Sequence, residues 1–244
     1  MKRASLAVLI VFSLASPVLA QVRQVVPTDR ENTSGGGTFL GPLANAQRTY
    51  QFLIDSGELT NLVGQPISAI TFRLLPSATT AWPPADATAA DYDIFLSRSV
   101  DPSARSLTFA NNVAGPQTQV RNGPLTIPAG SFPVGGSPQP FGVDIPFDVP
   151  YLYTGDDLLI ELRHTGFSGT SGTNDAVLAS GGPGNGYGVR FSAAWQSNAT
   201  ATTGLQANFV VARLTAVPEP GTLGIAFGGI MMLALRRRVP RPAP

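Results

Sequence analysis

Glycine and proline hold 26 and 22 of the 244 positions, about a fifth of the chain, where ordinary usage gives roughly an eighth. Glycine pays extra backbone entropy in a helix, and proline removes a helical hydrogen bond and clashes with the preceding turn. Both residues are at home in turns. A chain punctuated this often is therefore expected to fold as short strands joined by turns. Disorder is not expected, because 43% of the residues are hydrophobic, the net charge is only +1 and no low-complexity repeat appears.

Period-two alternation marks the strands. Phe141-Gly-Val143-Asp-Ile145-Pro-Phe147-Asp alternates apolar and polar strictly, the pattern of a half-buried strand. Pro146 falls on its outward set, which predicts an edge strand or a bulge. The same spacing recurs at Tyr50, Phe52 and Ile54; at Ile70, Phe72 and Leu74; at Tyr92, Ile94 and Leu96; at Ile160 and Leu162; at Tyr187, Val189 and Phe191; and at Phe209 and Val211. Turn clusters such as Asn122-Gly-Pro124 and Gly155-Asp-Asp157 bound these runs. Eight to ten strands and no amphipathic helix predict an all-β fold, a two-sheet β-sandwich of jelly-roll type over residues 48–216. Residues 21–47, polar and glycine-rich around Ser34-Gly-Gly-Gly37, read as an entry arm or a first edge strand.

The two ends differ from the middle. Lys2 and Arg3, the apolar run Leu6–Ala15, a break at Pro17 and then Val18-Leu-Ala20 have the layout of a secretory signal peptide spanning residues 1–20. Signal peptidase would cut between Ala20 and Gln21. At the other end Val217-Pro-Glu-Pro-Gly-Thr222 leads into a fourteen-residue apolar stretch, 222–235, closed by Arg236, Arg237 and Arg238. As a helix it reaches about 21 Å, short of a ~30 Å hydrocarbon core, a gap that bilayer thinning and snorkelling arginines narrow. The arginine cluster is expected to stay cytoplasmic with residues 239–244, leaving everything before it outside.

Pro218-Glu219-Pro220, an apolar helix and a terminal basic cluster together resemble the PEP-CTERM sorting signal of Gram-negative bacteria. The resemblance covers residues 217–238 plus the N-terminal signal. It implies that Pro218, Glu219 and Pro220 are recognised by an exosortase, a membrane-embedded enzyme with a cysteine nucleophile, which releases or transfers the protein at the cell surface. The tail 239–244 runs past the point where such signals often stop.

The middle carries little catalytic chemistry. It has no cysteine and no lysine, so thiol chemistry, disulfides and Schiff-base mechanisms are excluded. His164 is the only histidine, and no Gly-x-Ser-x-Gly elbow accompanies it. Glu161 alternates with Ile160 and Leu162 and is predicted to face solvent; Glu58 is a second carboxylate to consider for a glycosidase pair. Asp156 and Asp157 sit in a turn, and Asp91 and Asp93 share a strand face on which a cation would find only two carboxylates. The run Gly181–Gly188 leads into a strand and not a helix, against a phosphate-binding loop. Trp82, in a proline-rich loop, is the candidate glycan contact, with Trp195 read as a core plug. Ten arginines against fourteen carboxylates between residues 21 and 217 leave this part acidic, which excludes the electrostatic footprint of a nucleic-acid binder. No cofactor or metal is implied. The expectation is a non-enzymatic surface or extracellular-matrix protein, with a carbohydrate-binding module of an exopolysaccharide matrix as the second reading and a secreted hydrolase as the third.

Overall fold

The structure, a computed structural model, describes residues 21–217. The signal peptide 1–20 with Ala20, the sorting residues Pro218, Glu219 and Pro220, the helix 222–235, Arg236–Arg238 and the tail 239–244 lie outside the described residues.

The described part is all-β, with four sheets, six short 3-10 turns and no α-helix among the described residues. Its strands are β1 (Val22–Val26), β2 (Gly36–Phe39), β3 (Arg48–Ile54), β4 (Pro66–Phe72), β5 (Ala87–Ala89), β6 (Tyr92–Arg98), β7 (Thr118–Arg121), β8 (Leu125–Ile127), β9 (Ile145–Leu152), β10 (Leu158–His164), β11 (Asn174–Val177), β12 (Phe191–Gln196), β13 (Leu205–Gln206), β14 (Phe209–Val210) and β15 (Ala212–Ala216). One sheet has the order β1-β15-β4-β9 and a second the order β13-β12-β3-β10-β6-β7, antiparallel throughout. Two small sheets, β14-β11-β2 and β5-β8, sit beside them.

The two larger sheets share one apolar core. The alternating residues do meet there: Tyr50, Phe52 and Ile54 of β3, Tyr92, Ile94 and Leu96 of β6, and Ile160 and Leu162 of β10 are buried with Ile70 and Phe72 of β4. Phe52 stacks on Phe72 across the sheets with ring centroids 6.2 Å apart, and Phe209 meets Phe52 edge-on at 5.3 Å. Burying rings in such tilted or offset pairs adds about 0.5–1.5 kcal/mol each beyond the apolar area they remove from water.

Pro146 lies on β9, the edge strand of its sheet, where the ladder to β4 shifts register between Ile67 and Ala69. The strand is shorter at its start than the alternation predicts. Gly142 packs so closely on Phe132 that a Cβ there would come within 2.3 Å of the ring. Val143 is exposed, and regular pairing begins only at Ile145. Val189 is likewise exposed, because Gly186 and Gly188 take positive φ and delay the strand until Phe191.

Residues 21–47 are built into the fold as strands. β1 pairs with β15 along its whole length, and β2 pairs with β11. An ion pair fixes the segment between them. Arg73, fully buried, donates from Nε to Asp175 at 2.9 Å and from Nη2 to the carbonyls of Arg30 and Thr33 at 2.9 and 2.6 Å. Asp175 also accepts from the Gly35 amide and the Ser34 hydroxyl.

Candidate functional site

The outward face of β3 and β10 is roofed, which changes the place of several candidate residues. Residues 99–117 and 197–204 fold over it. Gln51 donates to the Phe109 carbonyl at 3.2 Å, Ser192 to the Pro102 carbonyl at 3.0 Å, Thr49 to the Asn198 carbonyl at 2.6 Å, and the Phe109 amide to the Thr202 carbonyl at 2.9 Å. Glu161 is therefore buried rather than facing solvent, a correction to the alternation. Its two oxygens accept from Gln51 and Arg163. Glu161 and Arg163 line a cleft of about 410 Å³ with Phe109, Gln117 and Thr202. Glu58 is buried elsewhere, held by Arg190 at 2.7 Å and by the Thr28 amide at 2.6 Å. Both glutamates are thus committed to holding chain segments together.

His164 is also inside. Nδ1 accepts from the Gly166 amide at 3.1 Å, which leaves the proton on Nε2 for the Gly41 carbonyl at 3.0 Å. Tyr92 stacks on the ring at 5.3 Å. Burial lowers its pKa from 6.5 to about 4, with the Gly41 bond opposing and Arg48 adding to the shift. A neutral imidazole with both nitrogens occupied is a packed core residue.

Of the two turn aspartates, Asp157 serves the backbone, while the Asp156 carboxylate pairs with Arg98 at 3.3 Å. Asp157 accepts from the Ser56 amide at 2.9 Å, and burial raises its pKa. Asp156 accepts from Tyr153 through its carbonyl. Asp93 turns to the Gly123 amide at 3.0 Å while Asp91 is exposed just before that strand begins. Among the described residues no three His, Cys, Asp or Glu side chains gather as metal ligands.

The two tryptophans depart from expectation to different degrees: Trp195 is half-buried against the core, as expected of a plug, while Trp82 lies inside. Trp82 is buried, its indole N–H donating to the Thr170 carbonyl at 2.8 Å. Phe132 and Phe167 pack edge-on against it, and Gly172 lies so close to the ring that a Cβ there would come within 2.9 Å. The ring is only 5% exposed, at the edge of a cleft of about 450 Å³, so the expected exposure in a proline-rich loop is corrected. Trp195 is the more accessible ring. It shares a face of β12 with the buried Phe191 and Ala193, but it comes near the strand's end, where the core runs out. Phe39 meets it edge-on at 5.4 Å, and the Arg48 guanidinium lies 5.2 Å from the ring centre.

Trp195, Arg48, Phe39, Leu40, Thr38 and Thr173 line a cleft of about 240 Å³. Arg48 has no carboxylate within ion-pair distance among the described residues, and partial burial lowers its pKa. This combination of an aromatic ring and an unneutralised cation was missed in the sequence because Arg48 and Trp195 are 147 positions apart. Only the pairing of β3 with β12, which sets Trp195 opposite Tyr50, brings them together.

No helix of the described residues is long and apolar enough to cross a membrane. No family model, curated protein or solved structure matches the chain.

Proposed function

We propose that the chain is an exported protein of the cell surface or extracellular matrix, without catalytic activity, sorted by an exosortase through Pro218, Glu219 and Pro220. The observation that carries this reading is the placement of that tripeptide. It begins two residues after Ala216, the last residue of β15, and is followed at once by the apolar stretch 222–235 and Arg236–Arg238. The folded domain thus ends where the address begins. Its other end fits as well, since β1 starts at Val22, two residues past the expected signal-peptidase cut.

The strand order supports a jelly-roll sandwich. Among β1, β3, β4, β6, β7, β9, β10 and β15, the first pairs with the last, the second with the seventh, the third with the sixth and the fourth with the fifth. That nesting is what a long antiparallel hairpin produces when it rolls into two sheets. Replacing Pro218, Glu219 and Pro220 by alanine in a host with an exosortase is expected to trap the protein in the inner membrane fraction. An unchanged distribution overturns the sorting reading.

The second reading, a carbohydrate-binding module of an exopolysaccharide, is favoured by the Trp195–Arg48 cleft. An indole for stacking beside an unpaired guanidinium suits an acidic sugar. On a panel of neutral and uronate-bearing polysaccharides, binding is expected to favour the acidic ones and to be lost in Trp195→Ala. Binding by neither class removes this reading.

A further inference from the structure

Both ends of the described chain leave the same end of one sheet. Val22 pairs with Ala216, Ala216 with Ile67, and Ile67 with Tyr151, so one row crosses all four strands β1, β15, β4 and β9. Just beyond that row, beside the exposed Gln21, three large apolar side chains are exposed. Leu152 is 60% exposed, Val63 51% and Val217 39%. Leu152 pairs with Pro66, and the ladder runs on through Tyr153, which bonds Gln65 and Gly64, to Val63. Single exposed apolar side chains are ordinary on a protein surface. Three gathered around the point where the chain leaves the domain are not explained by packing.

What covers them is indicated by the chain that follows. From Ala216 to Thr222 the backbone reaches at most about 20 Å, and Thr222 opens the apolar stretch that ends in three arginines. We infer that this end of the sheet, with Leu152, Val63 and Val217 at its tip, rests on the lipid bilayer while the tail is uncut. The inference builds on the reading of 222–235 as a membrane segment. The rim offers no basic cluster: its charges are Arg23, which is exposed and donates to Gln21 at 3.0 Å, the exposed Arg98–Asp156 pair, 3.3 Å apart, and Asp157, two cations against two carboxylates. The contact is therefore with the interfacial hydrocarbon of a zwitterionic surface, not with anionic headgroups. Seated in this way, the domain holds Pro218–Pro220 at the membrane surface, where a membrane-embedded enzyme would meet it.

The chain has no cysteine, so a single introduced one reports a single place. Leu152→Cys, Val63→Cys and Leu178→Cys are made in the full chain, exported, recovered from the membrane fraction, labelled with a polarity-sensitive dye and reconstituted into phosphatidylcholine vesicles. Leu178 is also exposed but follows Val177, which pairs with Phe209, beyond the opposite end of β15. The expected result is a shift to shorter emission wavelength and quenching by spin-labelled lipid at positions 152 and 63, with neither at 178. Chains that float with the vesicles but show water-like, unquenched dye at 152 and 63 overturn the seating alone. A shift without lipid quenching assigns the patch to a second protein surface and overturns it equally. A chain found only in the soluble fraction overturns the membrane reading of 222–235, and the seating with it.

Discussion

His164 illustrates how burial decides what a titratable side chain does. With its pKa lowered to about 4 from 6.5, it stays neutral in the folded domain at pH values where the unfolded chain takes up a proton. Its contribution to stability is whole above pH 6.5 and drains away as the pH falls toward 4, at about 1.4 kcal/mol per pH unit. Urea midpoints measured at pH 7 and pH 5 are expected to fall accordingly, and His164→Gln should flatten that difference. Asp175 belongs to the same class of argument. Because Arg73 is fully buried against it, Asp175→Asn strands a guanidinium in the core and is expected to cost about 3–5 kcal/mol in denaturant unfolding. Trp82→Ala should cost about 3–5 kcal/mol by opening a cavity and leave any glycan binding untouched, whereas Trp195→Ala should do the reverse. Which tryptophan is inside is not legible in the sequence: the proline-rich loop around Trp82 looks like surface, and only the contacts from Phe132, Phe167 and Gly172 close over it.

The strands themselves are far more legible, since alternation reports directly which side chains a sheet buries. β3, β6 and β10 lie where Tyr50, Tyr92 and Ile160 begin or continue a period of two, and Pro146 marks an edge as a residue without an amide proton must. What alternation does not report is a second layer. Gln51 and Glu161 have the polarity of an outward face, yet the roof of residues 99–117 and 197–204 encloses them, through hydrogen bonds between residues dozens of positions apart. The entry segment is hidden for a similar reason, because its strand partners β15 and β11 come near the end of the chain. β15 also sets a limit on processing. It lies between β1 and β4, so a chain stopped after Val211 splits that sheet and is expected to lose its β-sheet circular dichroism and its protease resistance. A chain stopped after Val217 should keep the thermal midpoint of the full protein.

The molecule as a whole divides into the described domain, residues 21–217, and two ends of different composition. The domain is lysine-free, acidic and turn-rich, and its titratable candidates are hydrogen-bonded within the fold: His164 to Gly41 and Gly166, Glu58 to Arg190, Glu161 to Gln51 and Arg163. Six of the sixteen basic residues fall in the ends, at Lys2, Arg3, Arg236, Arg237, Arg238 and Arg241, where they are suited to orienting apolar segments at a membrane. Because β1 begins at Val22 and β15 ends at Ala216, both ends can be removed without touching a strand of the described residues. The intact mass of the protein recovered from the cell surface tests this account most directly. A chain that begins at Gln21 and lacks residues 222–244, with the tail retained when Pro218, Glu219 and Pro220 are alanine, is the predicted result; a surface protein that still carries Arg236–Arg238 contradicts it.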